Sequence, residues 1–131
     1  MEQIEQLMAR HEAFKLKGML LSNDDLFNWI ILQDEMITLS SNLKAEYLET
    51  KLRNDVDKGK RMLELKTMLD DKWKKIHTES TADWVLRQEF LEKDTQQQTL
   101  KTMYELLFQK AQLITEYINI IKLNNKALFT L

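Results

Sequence analysis

The two histidines are the side chains best suited to proton transfer or metal binding near neutral pH, and neither has the neighbours that such chemistry needs. His11-Glu12 begins like the HExxH helix of zinc peptidases, in which histidines at i and i+4 hold the metal and the glutamate acts as base. Position 15, however, is Lys. His77-Thr78-Glu79 has the HxE spacing of zinc deaminases, whose site is completed by cysteines, and the chain has none. Gly59-Lys60 lacks both the earlier glycine and the following Ser or Thr of a phosphate-binding loop. Neither a nucleophile elbow nor a dinucleotide fingerprint occurs. The expectation is a protein that is not an enzyme, with no catalytic residue, no metal ligand and no cofactor.

The other chemistry is electrostatic. Residues 1–43 carry 3 basic and 7 acidic side chains, whereas residues 44–75 carry 10 basic and 7 acidic, so the basic excess sits in the middle third. Lys44, Lys51, Lys58 and Lys72 recur at multiples of seven, with Lys60, Arg61, Lys74 and Lys75 beside them and Trp73 among the last group. Cations that meet phosphates and an aromatic that stacks on bases are what single-stranded nucleic acid requires. The candidate contact residues are Lys51, Lys58, Lys60, Arg61, Lys72, Lys74 and Lys75. A plainer reading stands beside this one. Glu49 with Arg53, Asp57 with Arg61, Asp70 with Lys74 and Asp71 with Lys75 are acid-before-base pairs at i, i+4, the arrangement that supports a solvated helix. Trp73 also falls on an apolar stripe, which predicts that it is buried.

The elements that would position these residues are helices. Among 131 residues there are 2 Gly and no Pro, and a sheet protein of this length needs many turns built from those residues. Ile4, Leu7, Met8, His11 and Phe14 share one helical face, which predicts a first helix over about 2–20 that ends near Gly18. Ser22-Asn23-Asp24-Asp25 has the form of a capping box opening a second helix. The polar Thr38–Asn42 stretch predicts a kink or break. From Leu48 an apolar stripe runs through Leu52, Val56, Gly59, Met62, Leu65, Leu69, Trp73 and Ile76, 28 residues in eight steps, the mean spacing of a coiled-coil seam. Gly59 within it either weakens the helix or admits another backbone. Ser80 with Asp83 repeats the capping-box pattern. A last helix, with a weak spot at Asp94-Thr95, carries Leu100, Tyr104, Leu107, Ala111, Ile114, Ile118 and Ile121 in strict heptad register. Met19, Met36, Met62 and Met68 read as core filling. The apolar tail 127–131 is expected to dock.

The predicted fold is therefore all-α, an elongated helical hairpin or bundle with coiled-coil-like seams in a single domain over 1–131. Short helices occupy 1–42, a basic helix 43–77 and a heptad helix 81–124. The 100–121 seam is the expected self-association surface of a homo-oligomer. No stretch approaches about 18 consecutive apolar residues, and the acidic N-terminus lacks the pattern of a secretory signal, so a cytoplasmic protein without a membrane partner is expected.

An acidic N-terminal helix pair, a Lys-rich middle helix and a long Leu/Ile C-terminal helix together resemble the recombination mediator proteins of T4-type and related phages. The nearest local likenesses are Ser40-Ser41-Asn42-Leu43-Lys44-Ala45-Glu46 and Leu100-Lys101-Thr102-Met103-Tyr104-Glu105-Leu106-Leu107. The resemblance covers about residues 39–131. It implies a small oligomeric viral protein of the host cytoplasm that binds single-stranded DNA and helps to load a recombinase, with Lys58, Lys60 and Arg61 as DNA contacts. The other class of function is a protein-binding helical module, such as a phage-type inhibitor of a host enzyme or a small assembly chaperone. Its motive is the apolar surface at 26–31 and 127–131.

Overall fold

The computed structural model describes the backbone over residues 2–16 and 23–130 and the side chains over 2–15 and 26–123. The fold is all-α. Four helices account for nearly all of the described residues: α1 (Glu2–Leu16), α2 (Asn23–Thr67), α3 (Glu79–Glu89) and α4 (Leu91–Thr130). The expected cap at Ser22, the end near Gly18, the placement of Met19 and the docking of side chains 127–131 lie outside the described residues.

The chain gathers into two compact units, Met1–Leu43 with Met103–Leu131 and Lys44–Thr102. In the first, one core contains Leu7 from α1, Trp29, Leu32 and Met36 from α2, and Leu107, Ala111, Ile114, Ile118 and Ile121 from α4. Ile4, Met8, Phe14, Leu26, Leu39, Leu43 and Tyr117 pack around it. Burying each large apolar side chain contributes roughly 1.5–3 kcal/mol. Two polar side chains tie α2 to α4 across this core. Gln33 Nε2 donates to the Ala111 carbonyl at 2.9 Å and to Thr115 Oγ1. Ser40 Oγ donates to the Tyr104 carbonyl at 2.8 Å.

The Ser40 bond explains why the expected break at 38–42 is absent. Serine bends a helix when its hydroxyl competes for local backbone groups, but here that hydroxyl is spent on another helix. α2 therefore runs unbroken. The weak spot at Asp94-Thr95 is likewise helical, with Thr95 Oγ1 donating to the Leu91 carbonyl at 2.8 Å. The break falls four residues earlier, at Phe90, which caps α3.

In the second unit α2 runs antiparallel to α3 and the start of α4. Asn54 Nδ2 donates to Gln97 Oε1 at 3.1 Å, Lys58 pairs with Asp94 at 2.6 Å, Arg61 with Glu89 at 2.8 Å and Lys66 with Glu79 at 3.6 Å. Leu65, Ala82 and Phe90 are its buried apolar residues. α3 is capped by Thr78, whose hydroxyl accepts from the Thr81 amide, and not by Ser80 as expected.

The middle helix stops at Thr67, ten residues short of the expected end. Residues 68–76 form a small hairpin instead. Leu69 bridges Lys75, and the Ile76 amide donates to the Met68 carbonyl at 3.1 Å. Asp70 accounts for the change of direction. Its carboxylate accepts from the Lys72 and Lys74 amides at 2.8 and 2.9 Å, the local pairing by which aspartate favours turns over helix.

Candidate nucleic-acid and protein interfaces

The structure treats the two apolar seams oppositely. In the 100–121 seam, Leu107, Ala111, Ile114, Ile118 and Ile121 are buried, while Leu100 and Tyr104 are half-buried. The five buried members belong to the single-chain core with α1 and α2. That surface is already covered, and the expectation that it waits for a second copy is corrected. The 48–76 stripe is mostly uncovered. Leu48, Leu52, Val56, Leu69, Trp73 and Ile76 are exposed, and only Leu65 is buried, with Met62 half-buried. α3 and α4 pack on the face of α2 that carries Asn54, Lys58, Arg61 and Leu65, which turns Leu48, Leu52, Val56 and Leu63 to solvent. Gly59 lies on this open face, and a Cβ built there would meet nothing within 4 Å. No backbone among the described residues approaches it.

The candidate nucleic-acid residues separate into two groups. Lys58 is held by Asp94, and its ammonium lies 5.9 Å from the centre of the Phe90 ring. Arg61 is held by Glu89 through two donors, each at 2.8 Å, and by Glu64 at 3.0 Å. These hydrogen bonds raise the guanidinium's pKa and lower that of the Glu89 carboxyl. Two of the three DNA contacts implied by the resemblance are therefore engaged by acids of the same chain. Lys51, Lys60, Lys72, Lys74 and Lys75 are exposed, and none forms an ion pair among the described residues. Of the four i, i+4 pairs, Glu49 with Arg53 forms at 3.1 Å. Arg61 turns to Glu89 and Glu64, and Asp70 serves the turn amides.

Compared with models of known protein families, with curated proteins and with solved structures, the chain matches none. The site must be read from its own geometry.

Trp73 departs furthest from the apolar pattern of the sequence. The stripe predicts it buried; the residue is 83 % exposed. The stripe's period assumes a helix that continues to 77, and the hairpin breaks that register. The signal for the hairpin is Asp70-Asp71, two residues that favour turns, although their i, i+4 spacing to Lys74 and Lys75 also suits helix pairing.

His11 is buried, and among the described residues neither ring nitrogen has a hydrogen-bond partner. It stands among Trp29, Tyr117 and Phe14, the last packed on Trp29. His77 is half-buried near the end of the hairpin. Among the described residues, no group of three or more His, Asp or Glu side chains is gathered to hold a metal ion. No helix among them is long and apolar enough to cross a membrane.

Proposed function

We propose that this is a non-catalytic accessory protein that holds single-stranded nucleic acid on the basic segment 44–75. The supporting observation is that Lys51, Lys60, Lys72, Lys74 and Lys75 are all exposed and unpaired among the described residues, while the acids around them are engaged in part with Lys58, Arg61 and the hairpin amides. Phosphate contact needs cations that can shed water and counterions without first breaking an ion pair. These five meet that condition; Lys58 and Arg61 do not. In its finer form the reading is of a phage-type mediator that presents DNA to a second protein such as a recombinase.

The test is affinity for a labelled single-stranded oligonucleotide measured across a salt series. Replacing Lys72, Lys74 and Lys75 with Ala should weaken binding about equally for every sequence and flatten the slope of log affinity against log salt by roughly 0.7 per lost contact. Equal slopes for wild type and variant would end the reading.

The open apolar face of α2 favours a second reading, a protein-binding module. Leu48, Leu52, Val56 and Leu63 make a contiguous solvent-facing stripe, and such patches mark partner surfaces. Leu52→Asp with Leu63→Asp should leave the helical signal intact and abolish any self-association seen by sedimentation.

A further inference from the structure

The chain sets Trp73 at the αL position of a three-residue hairpin loop. The Trp73 amide donates to the Asp70 carbonyl at 3.0 Å, and the Asp70 amide donates to the Lys74 carbonyl at 2.8 Å. That pattern closes a turn over Asp71 and Lys72 and leaves residue 73 to reverse the chain. Its φ is 63°, the one positive value at a non-glycine residue among those described. Hairpins of this kind place Gly or Asn there, because a Cβ crowds the backbone. A bulky aromatic in αL is an outlier that calls for a reason.

Among the described residues no packing reason exists, since Trp73 is 83 % exposed. Both the backbone and the side chain are placed against stability. What the placement achieves is presentation, because a turn held at two amides by the Asp70 carboxylate carries a flat π surface into solvent. Lys72, Lys74 and Lys75 stand on either side of it, all exposed. Lys72, Lys74 and Lys75 stand against Asp70 and Asp71, so residues 70–75 carry a net charge of one positive. A cationic rim around an exposed ring suits an anionic partner that also offers flat apolar faces. Single-stranded nucleic acid supplies both, base by base.

The geometry points to Trp73 as a base-stacking site for single-stranded nucleic acid, with Lys72, Lys74 and Lys75 taking the phosphates on either side. The assignment rests on the nucleic-acid reading above and adds to it a residue that recognises bases. Every base has a π face, so the site discriminates a base from its absence more than one sequence from another.

The experiment uses the full chain carrying Trp84→Phe, which leaves Trp73 as the exposed tryptophan beside the buried Trp29. An oligothymidylate, an abasic strand of equal length and vesicles of anionic phospholipid are titrated in turn at low salt. Stacking quenches Trp73 emission with the oligothymidylate and leaves it nearly unchanged with the abasic strand. Trp73→Gly should lose roughly 5- to 150-fold in affinity for the oligothymidylate and nothing for the abasic strand. Trp73→Phe should recover most of the loss, and Gly suits the αL position, so the hairpin is retained. Equal oligothymidylate affinity for wild type and Trp73→Gly would overturn the stacking site while leaving the phosphate contacts standing. Absence of binding to either strand would remove the nucleic-acid reading itself. A blue shift of Trp73 on vesicles, with no response to oligothymidylate, would reassign the loop to a lipid surface.

Discussion

His11 meets Trp29 edge-on, ring centres 5.5 Å apart and planes at 82°, and among the described residues neither imidazole nitrogen has a hydrogen-bond partner. The Glu12 carboxylate lies 3.8 Å from Nδ1, beyond hydrogen-bond reach. Burial is the main cause that holds the imidazole's pKa below its ordinary 6.5; Lys110 and Lys15 push the same way, and Glu12 opposes them. The neutral ring is thus the one the fold accepts. Below pH 6.5 the unfolded chain takes up a proton that the folded chain refuses. Stability should be fully present above 6.5 and fall as pH drops toward the folded-state value. Denaturant melts of wild type and His11→Phe between pH 7.5 and 5 check this. The wild type should lose stability toward pH 5 more steeply than the variant, and parallel curves would exclude His11 as the cause.

The buried half of the heptad seam should behave as core. Ile114→Ala should cost about 2–5 kcal/mol, the range for emptying a fully buried aliphatic site. Leu52→Ala on the open stripe should stay within about 0.5 kcal/mol, as surface substitutions do. Urea midpoints of the two variants measure the contrast.

Gly59→Ala should stabilise the chain by about 0.5–1 kcal/mol, because glycine in a helix interior carries that penalty relative to alanine and the added methyl meets open space. If a second copy approaches α2 at this point, the same substitution will weaken self-association while raising the monomer's stability. Sedimentation together with thermal melts resolves the two effects.

Glu89→Gln should strengthen oligonucleotide binding. The change weakens the hold on Arg61, frees a cation for phosphate and steepens the salt slope by up to about 0.7. Arg61→Ala in the wild-type background should alter affinity little, since that guanidinium is engaged at the start. A loss of binding in Glu89→Gln would mean that the ion pair is needed to shape the site.

Trp73→Gly should relieve the αL strain, worth roughly 1–2 kcal/mol for a residue with a Cβ. Slower hydrogen exchange at the Ile76 amide, which closes the hairpin onto Met68, is the expected readout. Faster exchange would show that the ring holds the loop.

Several features follow from local order alone. A chain almost without Gly and Pro, with apolar residues at heptad spacing from Leu100 to Ile121, favours helix there, because the period dictates which side chains share a face. A period does not say whether a partner face exists to cover them. Two stripes of similar spacing were legible. Only the one beside α1 and Trp29, Leu32 and Met36 is covered, because three helices converge there. Charge pairs show the same limit. Asp57 and Arg61 have ideal spacing, yet the guanidinium goes to Glu89, 28 positions away, since packing α3 on α2 brings a carboxylate that accepts both donors. Ser40 seemed a helix breaker until another helix offered its hydroxyl a carbonyl. Trp73 seemed a core residue until Asp70 turned the chain. Local periodicity and propensity decide what each segment can be. Which faces are covered, which charges are spent and which ring is left in water depend on contacts between segments far apart in the chain, and those exist only once the tertiary structure has formed.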